Sequence, residues 1–231
     1  MNNDEASIRL NKHLALQLGV SRREADNMIA DGRVLVNGEK AQLGSRFNPG
    51  DKVIAGGKDV STTTELVYLA FHKPVGYVCS RRQQGENPTI YDIIPPKYHN
   101  LKPVGRLDLS SSGIILLTND GDFAYQMTHP SFAKTKLYNV RLDRNLEPLH
   151  QQMISDYGVT LEDGVSQFQL ERMNETDRKS WIVTMREGRN RQIRRTFGSL
   201  GYTVTKLHRT NFGNYALGDI KSGKFEIINI S

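Results

Sequence analysis

GRLDLSSSGIILLT, residues 105–118, governs how the rest of this chain is read. Its second half, residues 113–118, is apolar without alternation, as in a strand buried on both faces. Its first half places Asp108 before three serines, a combination most often found in a turn or a cap. Outward from this strand, residues 66–71, 137–142, 168–172, 181–185, 203–207 and 224–228 also read as strands. Residues 122–129, 146–155 and 190–200 read as helices, the last with Ile193, Phe197 and Leu200 on one face. The order is not a regular βαβ alternation. It predicts an α+β catalytic-size domain with a largely antiparallel or mixed central sheet and flanking helices. Asn119-Asp120-Gly121-Asp122 is a turn and N-cap rather than a calcium loop, since it lacks the spaced ligands.

The first 60 residues form a separate pattern. Ile8, Leu10, Leu14, Ala15 and Leu18 recur at helical spacing and Gly19 stops the helix. Ser21 and Glu24 have the spacing of a capping box, followed by Ala25, Met28 and Ile29 as a second apolar face. Gly32 ends that helix, Val34-Leu35-Val36 is a strand, and Asn37-Gly38 signals a hairpin. A short strand at 52–54 completes a small αα-β unit over residues 1–56. Residues 57–65, polar and with no helical period, are expected to be a linker. Residues 66–231 then form the second domain.

The chain has 231 residues, 37% hydrophobic and 24% charged, which suits a globular protein rather than a disordered one. No apolar run approaches the roughly 20 residues of a membrane span, so no membrane partner is expected. Residues 1–7, MNNDEAS, have neither a basic start nor an apolar stretch, so no secretory leader is expected. The chain ends shortly after its last expected strand, without a basic tail. One cysteine, Cys79, excludes an internal disulfide and a cysteine-rich zinc site, and points to the cytoplasm. The six histidines are spaced too widely for a helical metal pair, and neither metal nor cofactor is expected. The net charge of +6 suggests a polyanionic partner, weakly. Residues 186–195, REGRNRQIRR, are its densest basic run.

RLNKHLA at 9–15 with SRREADNMIADGRVLVNGEKA at 21–41 resembles the RNA-binding module of ribosomal protein S-four, over residues 8 to 56. Arg9, Lys12, Ser21, Arg22, Arg23, Arg33 and Asn37 line the edge that would grip a phosphate backbone through charge and helix N-terminal amides. In the remainder, KPVG at 73–76, GRLD at 105–108, KLY at 136–138 and RNRQIRR at 189–195 stand in an order that resembles the RsuA/RluB family of ribosomal RNA pseudouridine synthases. Each motif is weak alone and specific jointly. The resemblance covers residues 66 to 228.

The resemblance implies cofactor-free isomerisation of uridine to pseudouridine, with Asp108, Tyr138 and Arg194 as catalytic residues. The glycosidic bond breaks, the uracil turns, and its carbon five joins the same ribose carbon, with no net redox change. A carboxylate could attack ribose carbon one, remove a proton from carbon two, or stabilise developing positive charge. The residues leave these routes open. By resemblance Arg194 pairs with the aspartate, while Tyr138 stacks on the uracil and assists at carbon five. Arg106 would fill the space of the flipped base or touch the backbone, and Lys73 would touch RNA or shape the cleft floor. Arg189, Asn190, Arg191, Gln192 and Arg195 would meet phosphates.

The expected partner is a uridine in a stem-loop or junction of ribosomal RNA, where base extrusion costs least, and the expected state is a monomer. Residues 186–202 look closer to family members acting on large-subunit RNA. The small-subunit type tends to carry lysine and histidine where this chain has Arg194 and Arg191. The alternatives are a noncatalytic RNA-binding or ribosome-assembly protein, and a synthase acting on small-subunit RNA or tRNA.

Overall fold

The computed structural model describes residues 7–61, 65–81 and 85–230. Residues 1–6 of the stretch read for a leader, and Thr62, Thr63 and Thr64 of the expected linker, lie outside the described residues. The chain divides into two compact units, residues 1–67 with 119–121, and residues 68–118 with 122–231.

The first unit runs β1 (Ile8–Arg9), α1 (Leu10–Leu18), α2 (Arg22–Ala30), β2 (Val34–Val36), β3 (Glu39–Lys40), β4 (Arg46–Phe47), β5 (Val53–Ala55) and β6 (Lys58–Asp59). Gly19 ends α1 with φ +66, which glycine adopts at little cost. The Ser21 hydroxyl accepts from the Glu24 amide while the Glu24 carboxylate accepts from the Ser21 amide, so the capping box is complete. Ile8 lies outside the helix its spacing suggested and pairs with Phe47 instead. Leu10, Leu14, Ala25, Ile29, Val34 and Val53 close the core between the helices and the β3-β2-β5-β6 sheet.

The expected linker differs at its start. Gly56 and Gly57 both have positive φ and turn the chain into β6, which pairs with β5, and Val60 is buried in the core. Two adjacent glycines suit a tight hairpin turn as well as a flexible tether, and composition alone does not separate them.

The rest of the chain runs β7 (Tyr68–Lys73), β8 (Lys102–Val104), β9 (Ser112–Thr118), α3 (Gly121–Thr128), β10 (Lys136–Leu142), α4 (Pro148–Gln152), β11 (Val159–Leu161), β12 (Gly164–Ser166), β13 (Gln169–Asn174), β14 (Asp177–Met185), α5 (Gln192–Ser199), β15 (Val204–Phe212), β16 (Tyr215–Ala216) and β17 (Phe225–Ile227). A nine-stranded sheet has the order β13-β14-β10-β15-β9-β7-β17, with β8 on β9 and β16 on β15. Its pairs are antiparallel except for β9 with β15, so the sheet is mixed. The helix expected over 146–155 is shorter, and a π-helical turn, Met153–Tyr157, continues it. The β11–β12 hairpin was not read from the sequence, and β15 continues five residues past its expected end.

One cross-strand row positions the site. Lys73 on β7 lies opposite Gly113 on β9, Gly113 opposite Arg209 on β15, and Arg209 opposite Tyr138 on β10. Residues in register share a face of the sheet. Gly113 is required there. Its φ is +113, and a Cβ would stand 2.1 Å from the Arg209 carbonyl oxygen. The opposite face packs Tyr68, Ala70, Ile114 and Leu116 into the core with Phe123 of α3.

Candidate active site

Asp108 sits in the loop between β8 and β9, and that loop is fixed by its carbonyls. The Lys73 ammonium donates to the carbonyl oxygens of Pro74 at 2.9 Å, Asp108 at 3.1 Å and Ser111 at 2.7 Å. The Gly76 amide donates to the Leu109 carbonyl, and Arg194 Nη2 donates to the Ser110 carbonyl at 3.0 Å. Four successive carbonyls, 108 to 111, are thereby engaged. Backbone groups paired this completely hold the aspartate in one place before substrate arrives.

The Lys73 side chain is fully buried, which corrects its expected place among the RNA contacts. Burial lowers its pKa to about 8, with Cys79 and Asp108 opposing. Three carbonyl oxygens around one ammonium offset that desolvation. The KPVG motif therefore acts as a clamp: Lys73 and Gly76 both tie down the Asp108 loop.

A cavity of about 320 Å³ opens beside the loop. Asp108, Tyr138, Arg106, Arg191, Lys136 and Arg209 are among the residues lining it. Two carboxylates reach it, Asp108 and Glu187. Glu187 is occupied by Arg189, at 3.5 Å, and by the Gln192 amide. Asp108 has a different partner: Arg191 Nη1 stands 3.7 Å from its Oδ2, with the two side chains 50% and 29% exposed. The sheet buries Tyr138 to 7% exposure on the same face, against the cavity.

The expected pairing of Arg194 with Asp108 is not the ion pair found. Among the described residues the cation within 4 Å of that carboxylate is Arg191. Arg194 Nη1 donates to the Val204 carbonyl and Nη2 to Ser110, fastening the loop to β15. Burial and the neighbouring Arg191 lower the Arg194 pKa, and Asp108 opposes them. A turn residue explains the exchange. Arg191 caps α5 with φ +47, a left-handed conformation uncommon for arginine, and this reverses the chain just before the helix.

The other expected phosphate contacts divide. Arg189 donates to the Asp163 carboxylate and to the carbonyls of Asp163, Gly164 and Val165, while Arg195 makes a two-point pair with Asp163. Arg195 clamps the tip of the β11–β12 hairpin to α5, and Arg189 clamps it to the turn before that helix. Gln192, the first residue of α5, is 2% exposed, donates to the Ser166 hydroxyl and lines the cavity, where its side chain is engaged within the protein. Asn190, Arg191, Arg106 and Arg186 remain exposed.

In the first unit, Arg9, Arg22, Arg23 and Arg33 are exposed and Lys12 is half-buried. Ser21 is spent on its helix cap and Asn37 on Asp51 and the Lys52 amide. Sequence reading missed Lys136 and Arg209. The signal for Arg209 was its place two residues after Leu207, at a buried position of a strand. Among the described residues no three His, Cys, Asp or Glu side chains group as metal ligands, and no helix is long and apolar enough to cross a membrane.

Comparison with known proteins adds a family. A model described as RNA pseudouridylate synthase matches residues 67–199, and an S4 domain model matches residues 8–53. Ribosomal large subunit pseudouridine synthase B of Xanthomonas campestris pv. campestris is 39% identical over 220 residues, covering 90% of this chain and 44% of the relative. The chain spans 40–46% of the length of the Xanthomonas and Xylella relatives of that name. Ribosomal small subunit pseudouridine synthase A of Vibrio parahaemolyticus is 33% identical, covering 92% of this chain and 91% of the relative. A solved structure described as a crystal structure of pseudouridylate synthase superposes with a TM-score of 0.68 at 29% identity, covering 96% of each chain.

Proposed function

Because this chain belongs to the RNA pseudouridylate synthase family, we propose that it is a cytoplasmic enzyme that isomerises uridine to pseudouridine in ribosomal RNA, with a preference for large-subunit RNA. The observation that carries the reading is the pre-set Asp108 carboxylate, paired with Arg191 and facing the cavity that Tyr138 lines.

A flipped uridine enters that cavity, since its reacting atoms are out of reach in a stacked helix. Asp108 acts at the ribose, by bonding to carbon one, by taking the proton from carbon two, or by stabilising positive charge as the base departs. Arg191, 3.7 Å from Asp108 Oδ2, orients the carboxylate. Arg194 and Lys73 act through the loop that carries it. The Tyr138 ring holds the detached uracil and its hydroxyl assists removal of the carbon-five proton. Arg106 occupies the gap left in the RNA. No group is oxidised or imported, so the chemistry calls for no cofactor. Residues 1–56 hold RNA by its backbone, and residues 66–231 carry the reaction.

The large-subunit preference is supported by the Xanthomonas and Xylella relatives, which carry the name of a large-subunit enzyme. It is also supported by Arg191 and Arg194 in the arginine-rich run. Incubation with separate small- and large-subunit transcripts, followed by carbodiimide mapping of pseudouridine, tests it. One new pseudouridine in the large-subunit transcript is expected. Modification of the small-subunit transcript alone overturns the preference, modification of tRNA alone overturns the ribosomal assignment, and binding without modification overturns the activity.

A further inference from the structure

The floor of the cavity holds two cations that the reaction described above leaves unused. Arg209 is 2% exposed and lies beside Tyr138 in the sheet register. Its Nε donates to the Ile114 carbonyl, and its Nη2 has no partner among the described residues. Its guanidinium lies 4.7 Å from the centre of the Phe212 ring. Lys136, two residues before Tyr138 on β10, brings its ammonium 5.5 Å from the same ring. That ammonium reaches two carbonyl oxygens only loosely, Lys134 at 3.3 Å and Glu187 at 3.4 Å.

Buried donors are nearly always paired, and a buried guanidinium nitrogen without a partner beside a cavity is a place for a ligand acceptor. The proposed reaction supplies one. When the bond between ribose carbon one and N1 breaks, its electron pair stays with the uracil and spreads over N1, O2 and O4. The same ring electrons later form the bond from carbon five to ribose carbon one, and carbon five gives up its proton. The intermediate is an anion in an enclosed site, whichever route Asp108 takes. Resting on the reading above, we infer that Arg209 and Lys136 bind the carbonyl oxygens of the detached uracil and stabilise its negative charge while it turns. Neither has to exchange a proton. Burial, with Arg209 adding to it, lowers the Lys136 pKa against the pull of Glu187.

The test is a leaving-group comparison in the full-length protein. Large-subunit transcripts are made with uridine or with 5-fluorouridine, whose fluorine stabilises the departing anion by itself. Single-turnover loss of the target nucleoside is followed by digestion and chromatography, for wild type, Lys136→Met, Arg209→Lys and Arg209→Gln. Lys136→Met should slow uridine about 100-fold, the scale of losing one charge-stabilising donor, and slow 5-fluorouridine by less than about tenfold. RNA affinity should stay within about threefold. Arg209→Lys should recover part of what Arg209→Gln loses. Equal slowing of both nucleosides by Lys136→Met, or a loss confined to affinity, overturns the inference, and Lys136→Met decides it alone if the buried Arg209 variants fail to fold. Wild-type protein inactive on both transcripts removes the functional reading and this inference with it.

Discussion

The two units use arginine in opposite ways. In the first, Arg9, Arg22, Arg23 and Arg33 lie exposed on a scaffold whose core and caps do not involve them. In the second, the densest basic run of the chain is turned mostly inward: Arg189 and Arg195 hold Asp163, Arg194 holds Ser110 and Val204, and Arg191 meets Asp108. Arginines thus stay at the surface in one setting and become structural fastening in the other. What separates them is whether carbonyls and carboxylates from other elements are folded against the run.

The comparison can be broken first at the sheet that supports the inward arginines. Gly113→Ala sets a Cβ against the Arg209 backbone at a φ of +113. It should cost about 4 kcal/mol or more, read by urea unfolding, because neither backbone nor register can yield locally. A cost below about 1 kcal/mol would show that β9 and β15 do not meet as described.

Within the run, Arg191→Gln should lower kcat about 10- to 100-fold with little change in RNA affinity, because Asp108 loses the cation that orients its carboxylate. Arg194→Lys should lose less than Arg194→Gln, since one ammonium can keep a single carbonyl contact but not the fork that spans two. A larger effect of Arg191→Gln on affinity than on kcat would return it to the phosphate contacts.

Lys73 gives a pH signature of an inward cation. Its folded pKa, about 8 against an ordinary 10.5, means that the folded chain releases this proton before the unfolded chain does. The unfolded state binds more protons in that window, so the Lys73 contribution to stability should rise as pH goes from about 8 to 10.5. The quantity to follow is the difference in unfolding free energy between wild type and Lys73→Met at pH 7.5 and pH 10. A difference that is flat or moves the other way contradicts the buried ammonium.

The smallest effects belong to the first unit. Arg9, Arg22, Arg23 and Arg33 changed singly to Gln should each weaken RNA binding modestly and flatten the slope of log affinity against log salt by roughly 0.7 to 0.9. Stability should move by less than about 0.5 kcal/mol. Unchanged slopes would mean that these exposed arginines do not meet phosphate.

Much of this was legible in the sequence because local rules agree with the fold. The capping box at Ser21, the Asn37-Gly38 hairpin and the apolar strand after Asp108 needed no long-range information. The site was legible as a set of motifs, but not as a set of contacts. Arg191 stands just before the first residue of α5 and Arg194 is the third residue within it, and which of them meets Asp108 turns on the left-handed conformation at Arg191, which a non-glycine residue does not announce. Lys73 and Gln192 looked like surface groups because long polar side chains usually are, and their burial depends on loops far away in the chain. Arg209 was passed over because His208-Arg209-Thr210-Asn211 reads as the end of a strand. β15 continues through it only because β10 and β9 pair on either side.

The central claim is that Asp108 acts at the ribose of a flipped uridine, and single-turnover tritium release from large-subunit transcript labelled at uridine carbon five tests it most directly. Wild-type protein should release tritium from one site per transcript. Asp108→Asn, which keeps the shape of the loop and its carbonyl contacts, should bind the transcript within about threefold of wild type and release at least about 1,000-fold more slowly, a barrier increase of roughly 4 kcal/mol. Release by Asp108→Asn within tenfold of wild type would contradict the account.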